Sequence, residues 1–171
     1  MVLPLSQVLK DTTAQAFRGL TNILAKTQEH AEAAGIDDIN FLDARLFPDM
    51  NEMKWQVQMI TEFAVRGAAR MTGVATNDLP TLPMEGDSFD ALIKRIEDCG
   101  ETVANADDAT IDGNADMKIE MPIGPDQTME LDGKTYLQSF YLPNLFFHVT
   151  TAYNLARMQG VALGKRDFMG M

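Results

Sequence analysis

Near its C-terminus the chain carries Asn144 and His148 in the run Leu142-Pro143-Asn144-Leu145-Phe146-Phe147-His148. Four residues apart on a helix, their side chains stack on one face, which Leu137, Tyr141, Thr151 and Leu155 continue. Two polar groups therefore interrupt an apolar stripe. Left unpaired inside a protein, such groups cost on the order of 1 to 3 kcal/mol each, so each must meet a protein group, ordered water, a ligand or a metal. Histidine titrates near neutral pH, and the chemistry open to His148 is that of a general base or hydrogen-bond donor, tuned by Asn144, Tyr141 or Tyr153. The plain alternative is a core histidine satisfied by its neighbours.

Other chemistry-bearing residues are sparse. Asp49, Glu52 and Gln56 open a second helix and could face the same end as His148, although Asp49 and Glu52 also have the spacing of a capping box. His30 has Glu29 and Glu32 beside it, which suggests a surface or boundary position. Cys99 falls on an apolar helix face with no neighbouring His or Lys in sequence, the pattern of an inert core thiol. Thr150 and Thr151 follow His148 directly, and adjacent helical residues do not face one another. The stretch Gly160 to Lys165 lacks the length, the hydroxyl and the preceding strand of a phosphate loop. Twelve methionines read as core filler rather than copper ligands, and Lys165 and Arg166 beside Asp167 as a solvated terminus or, alternatively, a pin holding the tail to the acidic bundle or a partner.

Four helices are needed to hold these residues. Apolar positions from Leu5 to Ala34 recur at threes and fours until Gly35. Met50, Met53, Val57, Ile60, Ala64, Gly67 or Ala68, and Met71 make a second stripe, opened by Asp49 as cap and closed by Gly73. Asn77 to Gly86, with Pro80 and Pro83, must cross the surface. Asp87 or Ser88 caps a third helix, with Phe89, Leu92, Ile93, Ile96, Cys99 and Val103 inward and its end near Ala106. Met117, Ile119 and Met121, then Met129 and Leu131, alternate around Gly124-Pro125-Asp126, predicting a short hairpin that lies over one end of the helices. Gly133 to Gln159 is a fourth helix, apolar nearly all round, followed by a tail. Pro143 inside it removes a backbone hydrogen bond, strands the Ser139 carbonyl, and requires a kink or a local repair.

The 171 residues, 46% hydrophobic and 23% charged, have one domain's size and composition. A net charge of −11 makes nucleic acid and anionic membranes poor partners. A single cysteine offers neither an internal disulfide nor a zinc knuckle. No apolar run reaches the roughly 18 to 20 residues of a membrane span, and no signal segment opens the chain, so the expected location is the cytoplasm. The expected architecture is one all-α four-helix bundle over residues 1–171, of up-and-down type, with one long crossover and a hairpin between helices three and four. Surplus apolar surface on the last helix points to a homodimer.

Leu142 to Phe168 (LPNLFFHVTTAYNLARMQGVALGKRDF), with ARLFPDM at Ala44 to Met50 and Gln56-Val57-Gln58, resembles a bacterial domain-of-unknown-function family of the DinB/YfiT-like superfamily. The resemblance spans nearly the whole chain. It implies a four-helix bundle, often dimeric. In many members a divalent metal is held by three histidines, two of them one turn apart on the last long helix, and some of those are metal-dependent thiol transferases. Here His148 matches one member of that pair, Asn144 stands at the other, and helix two has no histidine. An amide oxygen is a poor substitute where metals take imidazole, thiolate and carboxylate. The expectation is therefore a small-molecule-binding or interaction bundle with no cofactor and a lost metal site. The alternative is a divalent-metal transferase or hydrolase that recruits His148 with Asp49 or Glu52.

Overall fold

A computed structural model describes residues 3–125 and 127–171. Helix α1 (Leu5–Ala34) ends at Gly35 as its sequence predicts and buries Leu9, Leu20, Ile23 and Leu24 completely. Its N-terminus carries no cap from its own flanking residue. Instead Asp112, more than a hundred residues away, accepts the Ser6 backbone N–H at 2.8 Å and the Ser6 hydroxyl at 3.0 Å, satisfying an amide the helix cannot pair internally. A short helix α2 (Asp38–Leu42), not anticipated from the mixed sequence there, buries Phe41 and Leu42.

Helix α3 (Met53–Met71) starts three residues later than its apolar stripe suggests. The predicted capping box does not form. Glu52 occupies the cap position without a side-chain bond to the helix, because its carboxylate pairs with Arg45 at 2.5 Å, and Asp49 sits exposed in the preceding turn. Helix α4 (Phe89–Ala104) begins as expected, the Ser88 hydroxyl accepting the Ala91 N–H at 3.2 Å. The polar stretch after it holds a further short helix, α5 (Asp108–Gly113), whose Ile111 is fully buried and whose Asp112 is the residue that caps α1.

Residue pairings fix the helix directions. Lys54 reaches Asp87 and Thr61 accepts from Arg95, so α3 and α4 run parallel. Lys10 bonds the Ala106 carbonyl while Gln28 bonds Asp90, so α1 and α4 run antiparallel. In place of the expected up-and-down order the bundle is up-down-down-up, because the crossover from α3 returns along the bundle before α4 begins. Arg95 holds that crossover by the Pro83 carbonyl, and Gln58 by the Glu85 carbonyl at 3.3 Å.

Strands β1 (Lys118–Gly124) and β2 (Gln127–Asp132) form the predicted antiparallel hairpin, in the register Ile119↔Leu131 and Met121↔Met129. Asp126, assigned to its turn by sequence, lies outside the described residues. Ile119 and Met121 point inward, and Thr76 bonds the Glu120 carbonyl, setting the hairpin over the end where α3 finishes.

The predicted fourth helix is one helical run in three parts. Helix α6 (Gly133–Tyr136) leads into a wide π turn (Leu137–Tyr141), then into α7 (Leu142–Met158). The wide turn is the local answer to Pro143: the Leu142 N–H reaches Leu137, five residues back, as π geometry requires. The tail adds α8 (Lys165–Phe168). A methyl group on Gly19 would stand 2.1 Å from the Phe168 carbonyl oxygen, so the tail lies against α1 only because that residue lacks a side chain. Among the described residues no helix is long and apolar enough to cross a membrane.

Candidate functional site

His148 lies on the inner face of α7, 7% exposed, and opposite it on α3 stands Gln56, 2% exposed. Their contact is direct: His148 Nδ1 is 2.8 Å from Gln56 Oε1. The amide oxygen can only accept, so Nδ1 carries the proton and donates, leaving Nε2 with the lone pair of a neutral ring. The orientation of the Gln56 amide is set in turn by its Nε2, which donates to the Asn51 carbonyl at 3.1 Å. Trp55 and Phe147 approach the imidazole edge-on, with ring centroids at 5.7 and 5.2 Å. Burial pushes the ring's pKa below its ordinary value, because no carboxylate compensates a proton there. The arrangement offers a neutral imidazole with one basic nitrogen, locked in a single tautomer.

Asn144 does not join that pair. Its amide nitrogen donates to the Phe140 carbonyl one turn back, at 2.7 Å. Tyr141 is also spent elsewhere. It is fully buried, and its hydroxyl meets Thr13 at 2.6 Å, with burial driving its pKa far up. Its ring fills the space over Gly67, where a methyl group would stand 2.2 Å from a ring carbon. Tyr153 packs edge-on against Phe168 and reaches the Leu163 carbonyl at 3.4 Å, which ties down the tail. Asp49 is exposed, and Glu52 is held by Arg45. Of the candidates read from sequence, the structure brings together only His148 and Gln56.

The remaining singled-out residues have structural roles. His30 is half-buried with its ring edge-on to Phe41, at a centroid distance of 5.8 Å. Cys99 is buried, and desolvation raises its thiol above the usual range, the opposite of activation. A groove of ≈ 610 Å³ between α1 and α4, bordered by Phe17, Ile96 and Val103, contains none of the sequence candidates. Among the described residues no group of three or more His, Cys, Asp or Glu lies together so as to hold a metal. The residues around His148 therefore do not fit the three-histidine centre that the superfamily resemblance raises.

Four helices in this order with a hairpin over one end make a helical bundle of the kind the superfamily resemblance implies. Comparison with solved structures agrees. A crystal structure of a DinB family member from Shewanella denitrificans superimposes with a TM-score of 0.87 at 28% identity, covering 98% of this chain and 92% of that one. The chain belongs to the family described as domain of unknown function DUF1993, whose model matches residues 5–169. A search of curated proteins finds no match.

Proposed function

We propose that this chain is a binding bundle, one that takes a small molecule or a protein partner and does its work without a catalytic metal. The observation that carries the reading is that both members of the one-turn pair on α7 are already engaged. Asn144 gives its amide to the Phe140 carbonyl, and His148 gives its Nδ1 proton to Gln56. One basic nitrogen, His148 Nε2, remains to meet a ligand's donor group, and a single imidazole does not make a closed metal shell. The net charge of −11 weighs against nucleic acid as the partner.

Elemental analysis of protein purified without a metal-affinity tag, beside His148→Ala, tests this. The expected result is no stoichiometric metal in either and a loss of stability in the variant. One equivalent of a divalent metal that disappears in His148→Ala would overturn it. A homodimer belongs to the same proposal, supported by the exposed Phe147 (57%) and Met158 (54%) on α7. Light scattering of the purified chain checks it, and a monomer at all concentrations would sink it.

A further inference from the structure

Fourteen residues beyond Gln56 along α3, about 21 Å at 1.5 Å per residue, a second polar centre lies under the hairpin. Arg70 is 8% exposed, yet it enters none of the ion pairs among the described residues. Its Nε, the Nε of Arg66 and the Tyr136 hydroxyl are all buried without a hydrogen-bond partner among the described residues. Arg66 is relieved by Glu62 at 2.9 Å. Arg70 has no such carboxylate, in a chain with 25 acidic residues against 14 basic ones.

Two cavities meet at this guanidinium. One, of ≈ 490 Å³, lies between the end of α3 and β1; the other, of ≈ 200 Å³, extends toward Phe63 and Phe140. Met121 and Pro122 of β1 border both. The acidic side chains on their walls are Glu62, bound to Arg66, and Glu120, exposed on β1. Burial pushes the Tyr136 hydroxyl above its ordinary range, and the Arg70 guanidinium, by its charge and a side-chain contact, works against that rise. A buried guanidinium presents a planar fork of donors matched to a carboxylate or phosphate, and leaving it uncompensated is strongly unfavourable. The C-terminal dipole of α3 favours a cation here but leaves those donors unspent.

We propose that the Arg70 cavity binds a small organic anion. Its carboxylate or phosphate lies side-on against the Arg70 guanidinium, which borders both cavities. The apolar body rests against Met117, Met121 and Val74. The volume suits a ligand of modest size. This deepens the binding reading above and rests on it, but it concerns the other end of α3. Anion binding and metal content are read separately, so either can fail alone.

Thermal unfolding of the full chain with sodium hexanoate, and separately with inorganic phosphate, tests it against sodium chloride at equal ionic strength. One of the two anions raises Tm saturably by several degrees, and which one does so distinguishes carboxylate from phosphate. Arg70→Met abolishes the shift and, without anion, unfolds no earlier than wild type, since it removes an unpaired buried cation. A wild-type Tm that neither anion moves beyond chloride overturns the proposal, as does a shift that survives in Arg70→Met. If Arg70→Met does not fold, the Arg70 Nε–H resonance of the wild type decides: it moves on adding the anion, and a stationary signal overturns the site.

Discussion

Gln56 and His148, 92 residues apart in sequence, meet at 2.8 Å across the α3–α7 interface, and their bond fixes the ring's tautomer. The pair is a neutral donor and a neutral acceptor in a nearly dry place. Its worth to the protein lies chiefly in what each group would lose without the other.

Gln56→Leu leaves the His148 Nδ1 proton and the Asn51 carbonyl without their partners. It is expected to cost about 1 to 3 kcal/mol, read by urea unfolding. Gln56→Glu places a carboxylate against the same nitrogen and raises the histidine's pKa, which an NMR titration of the imidazole protons follows. Unchanged stability in Gln56→Leu would show that the bond is not formed in solution.

Burial holds the His148 ring below its ordinary value of 6.5, so between that value and the depressed one the unfolded chain takes up a proton the folded chain refuses. Stability is therefore fully present above pH 6.5 and falls as the pH drops toward the depressed value, by at most about 1.4 kcal/mol per pH unit for one proton. His148→Gln flattens this segment of the profile. Equal slopes in both proteins would mean that other groups carry the acid sensitivity.

Asp112→Ala removes the carboxylate that satisfies the first turn of α1. The expected loss is about 1 kcal/mol. Hydrogen exchange at the first amides of α1 should accelerate while the helix centre keeps its protection, and uniform loss of protection would argue against local capping.

Gly67→Ala drives a methyl group into the Tyr141 ring, which Thr13 and the surrounding aromatics hold in place. The strain is expected to cost about 1 to 3 kcal/mol or more. Pairing it with Tyr141→Leu, which vacates the space, should recover part of that loss in thermal unfolding; a fully additive double variant would contradict the packing.

Sequence alone reaches far into the fold because long amphipathic stripes and local caps are read within one element. Leu5 to Ala34, the Ser88 cap and the alternation around Met121 and Met129 all carry their own signals. It misses α2 and α5, whose few residues repeat no period, and it misplaces the start of α3, because Glu52 is drawn to Arg45 rather than to its helix. The site divides in the same way. His148 and Gln56 stand out as polar residues at apolar or helix-opening positions, but their contact is a tertiary fact. Arg70 has no sequence signal: it lies three residues from Gly67 on the flank of a stripe, and its burial beside β1 is set by tertiary packing.

The parallel course of α3 and α4 also governs how quickly the bundle can assemble. A tight reversal would let neighbouring helices zip together from their shared corner. Here the Lys54 and Arg95 contacts form only after the whole connecting segment has been drawn back along α3, and its closure entropy is spent before those contacts return anything. Refolding is expected to be slower than in a bundle of the same size joined by short corners, a difference that stopped-flow kinetics would read.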